Sequence, residues 1–178
     1  TVVARRNDWY GFGSVAQRLL STPGISDSVF LISSDPRGEG AFIAEVGMRE
    51  KRPGHIILRG TKVLAGGDWS GKEYYSLFGT SKELTSYLED VPVGIVVLDL
   101  SLPESEQLQH QRLLRQVVEG HPEVWQFSGA YAFTRDGVPH PNAIHVYQWR
   151  GRESNGERNI RIPMGRMLGR DIEAKGHR

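Results

Sequence analysis

Cysteine is absent from this chain, which excludes disulfides, thiolate nucleophiles and any metal site built on sulfur. The compartment stays open, because an oxidising environment permits disulfides without requiring them. No apolar run approaches the roughly 20 residues of a membrane-spanning helix, and no secretory leader pattern is visible. An excess of one charge is also missing. Against 22 Lys and Arg stand 21 Asp and Glu, a formal net charge of +1, so the electrostatic footprint of a nucleic-acid binder is not there. The sequence has neither G-x-G-x-x-G nor a P-loop, no G-x-S-x-G nucleophile elbow and no H-E-x-x-H. Six histidines are present, and none has metal-ligand spacing. The nearest approach is His140 and His145 around a turn. We expect no metal and no cofactor. His55, at a strand start, is read as a partly buried ring with a hydrogen bond.

What is there suits one domain. The chain has 178 residues, 38% of them hydrophobic, enough for a real core. Charge is uneven along it. Residues 149–178 carry eight Lys and Arg against four Asp and Glu, while the first 148 carry fourteen against seventeen. We therefore divide the chain into an α/β domain over 1–150 and a basic segment over 151–178, packed on or extending that domain. The basic segment is read as solvated, or alternatively as a strip for a membrane surface or partner. Thr1 stands where a start Met would, which we read as a processed or excised start.

Periodicity predicts the elements. After a polar and aromatic start, Ser14 is placed as the N-cap of a helix carrying Val15, Leu19 and Leu20, stopped by Thr22-Pro23-Gly24. Residues 28–33 read as a buried strand and 33–40 as a polar Gly/Pro loop. A helix with Phe42, Ile43, Val46 and Met48 follows. Residues 55–59 form the second strand, and 60–72 a Gly-rich connection. Thr80 to Glu83 has capping-box spacing and opens a helix through Leu84, Tyr87 and Leu88. Residues 93–99 form the third strand. Ser101 to Glu104 reads as another capping box, opening a helix with Leu108, Leu113, Leu114, Val117 and Val118. Three strand–helix units imply parallel strands with right-handed crossovers. Residues 125–133 and 143–149 then alternate as half-exposed strands flanking a turn-rich link over 134–142. Ile160 and Ile162 suggest a last short strand. The expected fold is α/β, a three-layer Rossmann-like, mostly parallel sheet flanked by helices, with a C-terminal antiparallel β extension.

In open α/β sheets ligands sit beyond the carboxyl ends of the parallel strands. Those ends carry Ser33, Ser34, Asp35 and Arg37, then Arg59 and Lys62, then Asp99. The Gly38-Glu39-Gly40 turn could offer backbone N–H groups to a phosphate or carboxylate at a helix N-terminus. The plainer alternative has Asp35 capping the loop, the arginines in surface ion pairs and Asp99 capping the next helix. Asp68 and Trp69, with Lys62, Tyr74 and Tyr75 nearby, form an aromatic, polar cluster suited to a sugar or simply to anchoring a loop. The candidate ligand-binding residues are therefore Ser34, Asp35, Arg37, Arg59, Lys62, Asp68, Trp69 and Asp99. No catalytic residue can be named.

Several segments together carry a resemblance. They are 29–40, ending Ser-Ser-Asp-Pro-Arg-Gly-Glu-Gly, then Arg52-Pro-Gly-His-Ile-Ile-Leu-Arg-Gly-Thr-Lys62 and Asp68-Trp-Ser-Gly71. Pro92-Val-Gly-Ile-Val-Val-Leu-Asp99 and the terminal 160–172 belong with them. This set is similar to the soluble C-terminal region of bacterial multi-pass membrane proteins of the glycosyltransferase kind, related to dolichyl-phosphate-mannose–protein mannosyltransferases. The resemblance implies an extracytoplasmic, periplasmic accessory domain, without catalytic activity of its own, whose partner is a membrane-embedded portion of the parent. In that family the catalytic carboxylates lie in a loop between transmembrane helices, so none transfers to this chain. The alternative is a stand-alone enzyme or binding protein, cytoplasmic or not, for a phosphorylated or nucleotide-linked sugar at the strand carboxyl ends. A third class is a protein-interaction module that docks through 151–178. No nucleic-acid partner is expected.

Overall fold

Two apolar runs make the centre of the sheet. β1 (Val29–Ser33) and β5 (Val93–Asp99) are buried along their whole length, as strands covered on both faces are. They pair in parallel, with Phe30 beside Ile95 and Ile32 beside Val97. β2 (Ile57–Arg59) lies parallel on the other side of β1. β7 (Val138–Trp149) joins β5 antiparallel, and β6 (Trp125–Arg135) pairs with its far side, giving the order β2-β1-β5-β7-β6. The computed structural model describes residues 11–25, 28–50, 54–67 and 73–150 in full, and 159–162 and 172–175 as backbone.

Alternation along β1 and β5 divides the core. Phe30, Ile32, Ile95 and Val97 face α1 (Phe12–Ser21) and α2 (Pro36–Arg49), packing with Phe12, Val15, Leu19, Phe42 and Val46. Leu31, Val96 and Leu98 face the other way, onto α4 (Ser81–Asp90) and α5 (Gln109–Gly120), with Leu84, Leu88, Leu114 and Val117. A one-turn α3 (Gly60–Val63) follows β2 directly. The α/β class and the antiparallel extension are thus present, as a mixed five-stranded sheet flanked by helices. The capping box at the start of α4 forms as its spacing predicts. Thr80 Oγ1 accepts the Glu83 N–H at 3.3 Å, and the Glu83 carboxylate accepts the Gly79 and Thr80 N–H groups at 2.9 and 3.1 Å.

Several local expectations are corrected. The first helix is capped at Gly11, not Ser14. A Cβ on Gly11 would sit 2.6 Å from the Ala132 carbonyl oxygen at φ +144°, so the helix start can lie that close to β6 only with glycine. The loop over 33–40 is much shorter than read, because Asp35 caps α2 and Pro36 starts it. Gly38 and Gly40 therefore lie inside the helix. The connection after Arg59 holds α3 and a small hairpin, β3 (Ala65–Gly66) with β4 (Tyr75–Ser76). Ser101 opens no helix. A single 3₁₀ turn at Glu104–Glu106 intervenes, and α5 begins at Gln109 with the Leu108 N–H bound by the Gln111 side chain at 2.8 Å.

The link over 134–142 is mostly strand. Only Asp136 and Gly137 turn, both at positive φ (50° and 79°), the geometry that suits a two-residue hairpin and favours Asp-Gly. Pro139 and Pro141, which suggested a loop, lie in the part of β7 beyond Ile144, the last residue paired to β5. There the side of β7 away from β6 has no strand beside it among the described residues, and proline is tolerated on such an edge. The terminal strand at Ile160 and Ile162 forms as β8 (Asn159–Ile162), and its partner β9 (Ile172–Lys175) was not foreseen. Among the described residues no helix is long and apolar enough to cross a membrane.

Candidate functional site

The chain leaves β1 for β2 on one side and returns to β5 on the other. The carboxyl ends of β1 and β5 therefore border the crevice where such sheets hold ligands. Three of the expected residues meet there. Ser34 and Asp35 follow β1, and Asp99 ends β5. The group that joins them is Arg135, the last residue of β6. Its Nη2 donates to Asp99 Oδ2 at 2.6 Å and its Nη1 to Asp35 Oδ2 at 2.5 Å. Its Nε donates to Ser101 Oγ at 2.7 Å.

Asp99 is wholly buried at its side chain and fully committed. Oδ2 also accepts Ser34 Oγ at 2.5 Å, while Oδ1 accepts both the N–H and the hydroxyl of Ser101, at 2.9 and 2.6 Å. Four donors use the acceptor directions a carboxylate has, leaving none for a substrate proton. Asp35 Oδ1 accepts the Arg37 and Gly38 N–H groups at 2.8 and 3.0 Å, capping α2. The positive end of that helix complements the excess carboxylate. Gln111 reaches in from α5, its side-chain amide donating to the Ser34 carbonyl oxygen at 2.9 Å.

The other expected residues do not converge here. Arg59 belongs to a neighbouring cluster around Glu39, a wholly buried acid of α2. Its Nε donates to Glu39 at 3.1 Å and its Nη2 to the Pro36 carbonyl oxygen at 2.9 Å. Glu39 also accepts the Thr61 N–H at 2.8 Å and the Thr61 hydroxyl, so an acid from α2 caps α3. Burial pushes Glu39 above the usual carboxylate range, against the opposing pull of Thr61 and Arg59. Arg37 and Lys62 are exposed. Asp68 and Trp69 lie outside the described residues. The suggested helix-terminal anion seat does not form, because Asp35 already takes the N–H groups it would offer.

A second buried group was not singled out by its surroundings in sequence. His110, 1% exposed at the start of α5, meets Tyr74. The Tyr74 hydroxyl accepts the His110 backbone N–H and contacts its Nδ1, both at 3.1 Å. Among the described residues its Nε2 has no partner. Burial pushes the ring from 6.5 down to about 4, so the folded chain holds it neutral. Below pH 6.5 the unfolded chain takes up a proton that the fold refuses. Stability contributed by neutral His110 is thus complete above pH 6.5 and declines until about pH 4, by roughly 3 kcal/mol. Glu39 acts with the opposite sign, since a raised carboxylate favours the fold as pH falls. Urea unfolding between pH 7 and 4 should therefore show a shallower acid loss in His110→Gln than in the parent. An unchanged slope would remove His110 from the account. His55 is held as its sequence position suggests, its Nδ1 bound to Glu50 and its ring stacked on Phe30 at 4.8 Å.

Sequence reasoning missed Arg135, Ser101, Gln111 and Glu39. The signal for Arg135 was the Asp136-Gly137 pair. Taken as a tight turn, it makes Arg135 and Val138 the closing pair of a hairpin. Its reach across to Asp35 and Asp99 has no local signal. His140 and His145 are opposite Phe133 and Ala130 in β6, and among the described residues no three His, Asp or Glu side chains gather as a metal set would. An open depression lined by Gln17, Leu20, Ser21 and Arg49 lies at the far end of α1 and α2, away from the crevice. No family model, no curated protein and no solved structure matches this chain.

Proposed function

We propose that the chain is a non-enzymatic accessory or binding domain of a bacterial membrane-anchored protein of the glycosyltransferase-like kind, lying on the extracytoplasmic side. One observation carries this reading. Where a substrate would sit, Ser34 donates its hydroxyl to Asp99, and the Asp35 and Asp99 carboxylates accept from Arg135, Ser101 and the start of α2. A crevice satisfied by its own side chains suits a domain that acts through its surface. The same reading takes the fold as a three-layer Rossmann-like arrangement, supported by one apolar cluster on each face of the sheet and by parallel strands on either side of β1.

A thermal-shift screen against nucleotide sugars and sugar phosphates tests it. A ligand at about ten times its Kd would add about 1.4 kcal/mol, roughly 3–5 °C for a domain of this size. No such shift is expected. A shift lost on combining Arg59→Ala with Lys62→Ala would install the alternative, a binder or enzyme for a phosphorylated sugar. The reading frame that encodes the chain is expected to encode membrane spans, and a frame without them would end the accessory reading.

A further inference from the structure

The β6–β7 hairpin runs past the sheet it belongs to. Pairing of β7 with β5 stops at Ile144 opposite Asp99, yet β6 and β7 continue together to Arg135 and Val138. Where the ribbon leaves β5 it is bulged. Tyr131 is opposite Ile144 and Phe133 is opposite His140, so Ala132 faces residues 141–143, and Asn142 within them has φ +58°. Bulges bend a strand and re-aim what lies beyond. The tip beyond this one exposes Asp136, Gly137, Val138 and Pro139. It turns two side chains inward, Phe133 against Phe12 at 4.9 Å between ring centres and Arg135 into the crevice.

We propose that residues 133–140 are a strap across the carboxyl ends of β1 and β5, clasped by Arg135 and hinged at the bulge over 141–143. The strap opens as a unit while the parallel strands keep their ladder. Three features support this. The tip has the two-stranded pairing that is marginal in isolation. Its clasp is made of side-chain bonds, whereas the parallel strands are held by backbone ladders. The bulge places irregular backbone at the point about which the ribbon would turn. Opening uncovers Ser34, Asp35, Asp99 and Ser101 together. This inference shares the Arg135 clasp with the accessory reading, but thiol labelling reads only the opening of the strap, so either can fail without the other.

The natural absence of cysteine makes the test clean. Single Ser34→Cys and Ser101→Cys variants place a thiol under the strap, and Ala16→Cys places one on the core-facing side of α1, where residue 16 is fully buried. Labelling with a soluble thiol reagent under native conditions reads the opening of each. The thiols at 34 and 101 are expected to react at least about tenfold faster than the thiol at 16, which waits for larger unfolding. Adding Arg135→Lys, which keeps the charge and loses the fork, should speed the first two by about another tenfold relative to the third. Equal rates at all three positions would overturn the strap. So would fast labelling at 34 and 101 that Arg135→Lys leaves unaltered relative to position 16. Two reporter positions guard against one of them disturbing the hydrogen bonds around Asp99.

Discussion

Asp99→Ala is expected to destabilise the fold by about 3–5 kcal/mol, the usual cost of breaking a buried ion pair from one side. The substitution removes the acceptor of four hydrogen bonds at once. It leaves the Ser34 and Ser101 hydroxyls without that partner, and takes from Arg135, 11% exposed at its side chain, one of the two carboxylates it pairs with among the described residues. Urea or guanidinium midpoints measure the loss. Arg135→Met in the same chain completes a double-mutant cycle. The double variant should be less destabilised than the two single losses summed, by about 1–3 kcal/mol, because groups in one network are not additive. Strict additivity, or a loss under about 1 kcal/mol for Asp99→Ala, would mean that the cluster is energetically loose. In that case its closure could not carry the functional reading placed on it. The strap adds a refinement. With Arg135 removed, a tip that swings away lets water reach Asp99, so the Arg135→Met loss should fall below that of Asp99→Ala.

Phe12→Ala is expected to cost about 3–5 kcal/mol as well, for a different reason. Phe12 is 1% exposed and sits in the first turn of α1. Its ring meets Phe42 of α2 at 5.8 Å and Phe133 of β6 at 4.9 Å. The alanine variant opens a cavity where three elements meet, and the surrounding helices and strand cannot all collapse into it. Thermal and denaturant unfolding give the magnitude. A loss under about 1.5 kcal/mol would show that α1 re-seats easily, as volume-conserving core changes do. Because Phe133 is one of the strap's two inward side chains, Phe12→Ala should also speed labelling at positions 34 and 101 more than at position 16.

Much of the fold is legible in the sequence because its strongest signals are local. β1 and β5 are continuous apolar runs, α4 carries its own capping box, and the amphipathic stripe of α5 is regular. Placement failed where local chemistry was weighed wrongly. Pro36 and two glycines looked like a loop, although Asp35 before Pro36 is a helix start. Pro139 and Pro141 looked like strand breakers, although beyond Ile144 no ladder asks for their missing N–H. Ser101 and Glu104 matched a capping box, but the Ser101 hydroxyl is drawn to Asp99 two residues earlier. The site was half legible. Strand ends locate Ser34, Asp35 and Asp99 from topology alone. Arg135 lies 100 residues from Asp35 and 36 from Asp99, and only the completed hairpin brings it there.

The two prolines of β7 have an evolutionary consequence. Having no N–H to give, Pro139 and Pro141 discourage any backbone seam along that stretch of β7. Among the described residues the strap over the mouth between β1 and β5 is held by side chains, the Arg135 guanidinium and the Phe133 ring. A seam of main-chain bonds would need an insertion or a new turn to undo it. The Arg135 guanidinium, in contrast, can be lost in one mutational step. A related chain with another residue at position 135 would lack that clasp, and its crevice is expected to open more readily.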